Sequence, residues 1–286
     1  MRERVLSKLK NVKELPSFPA VAQNIMRMVE SDDFSMRDLK AEIEKDPGLA
    51  AKILKAANSF AFNPYGKEIT SIDRAIMQLG VKNLVPIVIG LSIVKLSDGL
   101  PGRFNADLFW KHSYTCAHVA KRLAKRFNLS DADAFTAGLL HDVGKLVLYM
   151  FFPEEYEEAL KVAEEEGLLS TEAERRIFGI DHTEVGEYIV KYWQLPSLIA
   201  ETTRYHHNPE EAKQYPKMVA LIRISDLFSR AAGVYFNRDH KGIMITEDKG
   251  WIILTEGKEE VEDLLAPVLD DVEDAVQFAE LAWRGA

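Results

Sequence analysis

Cysteine is nearly missing from this chain. A single residue, Cys116, excludes an internal disulfide framework and fits a reducing cytosol. Positive charge is in deficit, with a formal net charge of -9 and a pI of about 5.4. That balance argues against broad electrostatic binding to nucleic acid, which needs a basic surface. Long apolar runs are lacking too. The longest, residues 84–94, carries Pro86, Gly90 and Ser92 and is about half the length a membrane span needs. The first 13 residues are charged and hold no apolar signal core. Strand-like alternation is scarce. A cytoplasmic protein with no membrane partner is expected.

Helical periodicity is what the chain has instead. Its 286 residues allow one large domain or two modest ones, and a hydrophobic share of 47% is ample for a packed core. Apolar residues recur at spacings of three and four. In the first third, Pro16 and Pro19 stiffen a segment that leads into a helix with Val21, Ile25, Met28 and Val29 on one face. Ser35, with Asp38 three residues on, caps a second helix. Asp46-Pro47 opens a third, and Ser71 caps a fourth that ends at Gly80. Residues 83–96 form a buried helix. Residues 97–102 are turn-rich and mark the domain boundary, giving units over 1–102 and 103–286. Asp46, Asn58 and Asn63 are explained as caps and turn formers, so this third reads as a packing and interaction module.

The chemistry lies in the second part. A long helix from Asn105 or Asp107 to about Phe127 places His112, Cys116, Val119 and Leu123 on one face. A histidine in such a place is ordinarily a hydrogen-bonded core residue. His118 falls elsewhere and is solvated, as is the run Lys121, Arg122, Lys125 and Arg126. The next helix, expected over 131–150, carries His141 and Asp142 side by side, about 100° apart around the axis. Gly138 and Gly144 flank the pair. Glycine inside a helix costs about 1 kcal/mol relative to alanine, which makes sense where another backbone or a ligand comes close. Lys145 either places a cation beside a phosphate or is a surface lysine. An acidic helix over 153–166 and a short helix over 171–178 follow.

His182 stands at the start of a helix over 183–193. His206 and His207 end the helix opened by Pro196. Asp226 sits amid Ile224, Leu227 and Phe228, where a carboxylate is costly unless paired or coordinated. Residues 241–251 are expected as a loop or short irregular segment and 259–283 as a closing amphipathic helix. His112, His141, Asp142, His182, His206, His207 and Asp226 thus come from five helices or helix ends. Five imidazoles and two carboxylates exceed one metal's needs and suit two metals bridged by a carboxylate. Imidazole-rich ligation favours iron, manganese, zinc or nickel over magnesium.

The order His, His-Asp, His, His-His, Asp resembles that of the HD superfamily of metal-dependent phosphohydrolases. The chain is more closely similar to HDOD domain proteins. The segments that carry the likeness are Leu15-Pro16-Ser17-Phe18-Pro19, Asp46-Pro47-Gly48-Leu49, Ala57-Asn58-Ser59, Ala75-Ile76-Met77-Gln78-Leu79-Gly80, Trp110-Lys111-His112-Ser113 and Gly138-Leu139-Leu140-His141-Asp142. The resemblance implies an all-α fold, with an N-terminal helical HDOD subdomain packed on an HD-type helical metal-site domain. It also implies a bacterial signalling context with protein partners. One metal would take His112, His141, Asp142 and Asp226. The other would share Asp142 and take His182, His206 and His207. Asp142 and Lys145 would be the catalytic pair, with Lys145 facing a phosphate.

The chain departs from the HD-GYP type of cyclic di-GMP phosphodiesterase. It has Gln214-Tyr215-Pro216 where Gly-Tyr-Pro is expected, Asn208 in place of glutamate, and Leu108 where a carboxylate would serve a third metal. Three functions follow as expectations: a regulatory HDOD protein with a divalent-metal site, an active phosphohydrolase or phosphodiesterase with a nucleotide or cyclic nucleotide ligand, and a metal-free interaction scaffold.

Overall fold

The computed structural model describes residues 1–11, 15–31, 34–59, 62–63, 66–97, 100, 104–237 and 244–266, together with 268, 272 and 276. Among these residues there are helices and no strand, so the expected all-α fold is the one that forms. The chain divides into two compact units, one built on Ser17–Asp98 and the other on Met1–Pro16 with Gly99–Val272.

Helix α1 (Arg2–Lys10) precedes the first of these. Ser17–Asp98 contains α2 (Ala20–Ser31), α3 (Met36–Ile43), α4 (Pro47–Asn58), α5 (Ile72–Leu79) and α6 (Val81–Val94). Its helix starts are chemically marked. Ser35 and Asp38 form a reciprocal capping box, Asp46 accepts from the Leu49 amide, and Ser71 accepts from the Arg74 amide. Each such cap stabilises by about 1 kcal/mol. Asn58 donates to the Ile69 carbonyl and accepts from the Ile69 amide, both at 2.8 Å, which pins the segment after α4. Gly80 joins α5 to α6 with φ 70° and ψ 153°, a conformation that disfavours any side chain. No single helix among the described residues is long and apolar enough to cross a membrane. Only α5 and the helical stretch after it, bent by 112°, reach that length together.

The second unit contains α7 (Ala106–Ala124), α8 (Asp131–Leu140), α9 (Val143–Phe151), α10 (Pro153–Glu166), α11 (Ser170–Phe178), α12 (His182–Tyr192), α13 (Ser197–Tyr205), α14 (Pro216–Ala231) and α15 (Lys249–Thr255). The segment 1–16 belongs here, not with the rest of the first 102 residues. Arg2 donates to the Gly179 carbonyl at 2.7 Å, Arg4 pairs with Glu155, and Trp193 donates to the Pro16 carbonyl at 2.8 Å.

Two local expectations are corrected. The helix expected over 131–150 is two helices, broken at His141-Asp142, where the Lys145 amide bonds back to the Asp142 carbonyl three residues away. The loop expected over 241–251 turns helical at Lys249, where Asp248 caps α15 through the Gly250 amide and takes Arg223 of α14 as a buried partner at 2.7 Å. Of the closing helix expected over 259–283, residues 261–266 are helical, and most of the remainder lies outside the described residues.

The glycines flanking His141-Asp142 mark close backbone approaches. A Cβ on Gly138 would lie 2.7 Å from the Ala117 Cα, and one on Gly144 would lie 1.9 Å from the His182 carbonyl oxygen. Contact between α8 and α7, and between α9 and α12, therefore depends on hydrogen in place of a side chain. These two contacts bring His112, the 141–142 break and His182 to one place.

Candidate metal centre

All seven candidate residues fall into two adjoining groups. The ligand atoms of Asp142, His182, His206 and His207 lie within 4.8 Å of one another, as do those of His112, His141 and Asp226. Six of the seven are buried, and His207 is half-buried. Asp142 joins the groups through its two oxygens. Its Oδ1 is 3.3 Å from His182 Nε2 and 3.6 Å from His206 Nε2. Its Oδ2 is 3.4 Å from His141 Nε2 and 3.8 Å from His112 Nε2. Asp226 Oδ1 is 3.1 Å from His112 Nε2. Such separations match the edge of a ligand cage, about 3.4 Å for tetrahedral ligands held near 2.1 Å from an ion.

The backbone sets the imidazoles for this role. His141 Nδ1 is 2.6 Å from the Gly138 carbonyl, His206 Nδ1 is 2.9 Å from the Thr203 carbonyl, and His112 Nδ1 is 3.1 Å from the Val234 carbonyl. A carbonyl can only accept, so each Nδ1 carries the proton and donates, and each Nε2 is turned inward. His182 does the same with a carboxylate. Its Nδ1 is 2.6 Å from Glu174 Oε2, and its amide donates to the same oxygen at 2.8 Å.

Inward of these anchors, polar atoms are left over. His112 Nε2, His141 Nε2, His206 Nε2 and Asp142 Oδ1 are buried with no hydrogen-bond partner. Each such atom costs about 1–3 kcal/mol if nothing satisfies it. His182 Nε2 and His207 Nε2 face each other at 3.2 Å. Cation ligation in the two groups would satisfy these atoms, so the residues present fit a divalent metal ion.

The electrostatics agree in part. Burial pushes the Asp142 carboxyl up, but Lys145 and His141 outweigh it and hold it well below the usual carboxylate range. Burial pushes His206 down to about 4, so this imidazole is neutral and ready to ligate. Burial also disfavours charge on His141 and His182, yet Asp142 raises His141 well above the ordinary value and Glu174 raises His182. A metal would compete with a proton at these last two, as it does at any basic ligand.

Some features were not foreseen. Lys145 is no surface lysine. It is fully buried, and its Nζ donates to Asp142 Oδ2 at 2.7 Å. Arg230 donates to Asp226 Oδ1 at 2.9 Å. Glu174 had no assigned role, although its position carried a signal. It shares the apolar stripe of α11 with Ser170, Ala173 and Phe178, all buried. A carboxylate on such a stripe needs a partner, as Asp226 does. His118 is half-buried rather than solvated, with its ring 6.3 Å from that of Tyr114.

A family model for the HDOD domain matches residues 15–209. The chain belongs to the HDOD domain family. An HDOD domain protein of unknown function from Geobacter sulfurreducens is 27% identical with a TM-score of 0.82, over 97% of this chain and 99% of that one. A protein from Shewanella amazonensis SB2B, provisionally named a phosphohydrolase, is 23% identical with a TM-score of 0.77, over 96% and 97% of the two chains. An uncharacterized protein of Treponema pallidum is 23% identical over 222 residues, which is 77% of this chain and 43% of its own length. The chain spans less than half the length of the curated relatives it matches. Identity near one residue in four speaks for the shared HDOD fold. The chemistry rests on the residues themselves.

Proposed function

We propose that this chain is a regulatory HDOD protein of bacterial signal transduction whose histidine-bearing unit binds a divalent transition metal. One observation carries the reading: four buried donor atoms with no hydrogen-bond partner converge around Asp142, each histidine among them held by its far nitrogen. A bound ion supplies Lewis acidity and a more acidic water. The protein's own residues orient the imidazoles, keep Asp142 ionised and exclude bulk water. The regulatory part is binding of signalling proteins through the helical surface.

Elemental analysis of anaerobically purified protein tests the metal. Iron, manganese, zinc or nickel is expected at one equivalent or more in the wild type and at background in Asp142→Ala. Wild-type protein without metal, even after reconstitution, would leave a metal-free helical scaffold. A second reading, phosphohydrolysis of a nucleotide or cyclic nucleotide, is favoured by the way Asp142 divides its two oxygens between the two histidine groups. Turnover of a broad nucleotide panel by metal-loaded protein would establish it. No turnover would leave the regulatory reading alone.

A further inference from the structure

His112 is oriented differently from the other imidazoles. His141 and His206 each donate from Nδ1 to a carbonyl three residues earlier in the chain, so their own helix ends set them. The acceptor for His112 is the Val234 carbonyl, 122 residues away in sequence and 3.1 Å in space. Val234 lies past the end of α14, in a stretch with no helix or strand. The same stretch reaches Asp226. Arg230, which donates to Asp226 Oδ1 at 2.9 Å, also donates to the Asn237 carbonyl at 2.6 Å. His112 and Asp226 belong to one ligand group, and both are tied to carbonyls within residues 234–237.

Contacts at three points hold this stretch down. At its start Gly233, at φ 82°, closes α14. The Val234 amide bonds to the Ser229 carbonyl and the Gly233 amide to the Arg230 carbonyl, both at 2.9 Å. In its middle the Phe236 ring packs 5.0 Å from that of Phe104 and 5.3 Å from that of Phe109, which stands one turn before His112 on α7. At its end Asn237 donates to the Tyr156 hydroxyl at 3.2 Å. Between these points Tyr235 is 53% exposed. A surface stretch held by a few side-chain contacts opens at lower cost than the packed helices behind it. When it opens, His112 Nδ1 loses its acceptor, and the ring is free to turn Nε2 away from the ligand group.

We propose that residues 233–237 form a strap that couples metal occupancy to the protein surface. Closed, the strap fixes His112 and Arg230, and the ligand atoms converge. Open, it releases His112, and metal affinity falls. Coupling of this kind is reciprocal, so occupancy in turn holds the strap shut. The coupling rests on the metal reading above and gives that site a regulatory output. Filling of a buried centre becomes visible outside, at Tyr235.

Hydrogen–deuterium exchange of metal-free and Mn(II)-loaded wild type tests the coupling, read on peptides spanning 233–237. The loaded strap is expected to exchange about tenfold more slowly, in line with the 10–100-fold that supports of metal ligands contribute. Equal exchange in the two states, or the same slowing in α3 of the other unit, would overturn the proposal. Phe236→Ala loosens the strap without touching a ligand. It is expected to weaken Mn(II) affinity about tenfold with helical circular dichroism unchanged, and Phe236→Leu to recover most of the loss. An affinity in Phe236→Ala equal to that of the wild type would overturn the proposal. If that variant fails to fold, exchange in the wild type still decides. Wild type that takes up no Mn(II) would overturn the metal reading and the strap with it, whereas a loaded protein with an unprotected strap overturns the strap alone.

Discussion

Ser17–Asp98 and Gly99–Val272 treat buried polarity in opposite ways. In the first, Glu42 is 4% exposed and is met by Asn24 at 2.7 Å and by Lys45. Asp46 takes the Leu49 amide and Lys95. Among the described residues of Ser17–Asp98, no buried side-chain nitrogen or oxygen lacks a hydrogen-bond partner. In the second, His112 Nε2, His141 Nε2, His206 Nε2 and Asp142 Oδ1 are buried with no hydrogen-bond partner and gather around one carboxylate. Four open ligand atoms converging on one point are set up to receive a ligand there. The contrast separates polar residues that build the fold from those that wait for a partner.

The contrast can be broken hardest at Gly144. An alanine Cβ there would lie 1.9 Å from the His182 carbonyl oxygen and 2.7 Å from the Gly186 amide nitrogen, both backbone atoms. Neither can move without shifting α12. Gly144→Ala is expected to cost at least ~3 kcal/mol, at the upper end for overpacking, and to abolish metal uptake by displacing His182. Gly80→Ala is the control in the other unit. Nothing lies within 4 Å of its Cβ, so only the positive φ of 70° opposes it. A loss of about 1–3 kcal/mol with metal uptake intact is expected there. Urea denaturation and elemental analysis of both variants check this. A stable, metal-loaded Gly144→Ala protein would show that the close approach of α9 and α12 does not place the ligand.

Much of this was legible in the sequence. Period and caps gave the all-α class, and Ser35, Asp46 and Ser71 start helices where their side chains can accept from the first turn. The flanking glycines signalled close backbone contact before its partners were known. The break at His141-Asp142 was not legible, because no proline or glycine lies between Leu140 and Val143, and the surrounding apolar spacing suits one continuous helix. The bond from the Lys145 amide to the Asp142 carbonyl that closes the break is invisible to periodicity. Lys145 was ambiguous for a related reason. A lysine in a helix is usually exposed, and only the fold brings the buried Asp142 carboxylate to it. The attachment of α1 depends on partners far along the chain, 177 residues away for Arg2 and Gly179 and 182 for Arg2 and Glu184, beyond any local signal.

A milder change sharpens the comparison. Glu174→Gln keeps the shape of the side chain behind His182 and removes its charge. The glutamate now holds both the amide and Nδ1 of His182 through one oxygen. Such carboxylate supports typically contribute 10–100-fold to metal affinity. Mn(II) affinity is expected to fall by roughly that factor with the helical circular dichroism unchanged. An unaltered dissociation constant would mean that the orientation of His182 comes from the backbone alone.

The smallest expected effect belongs to the satisfied unit. Burial pushes the Glu42 carboxyl up, but Lys45 and Asn24 outweigh it and hold it below the ordinary value. A carboxyl depressed in the folded state stabilises above its unfolded pKa, near 4.3, and that contribution fades as pH falls through the lower folded value. Lys45 is 61% exposed, so the gain is about 0.5 kcal/mol or less. Glu42→Gln should therefore be slightly less stable than wild type near neutral pH, and the gap should close below about pH 4. Paired urea midpoints at the two pH values measure it. The subtraction cancels the other carboxylates that titrate in both proteins. A gap independent of pH would mean that Glu42 stabilises through shape and neutral hydrogen bonding, and the polar groups of this unit would then be satisfied without help from charge.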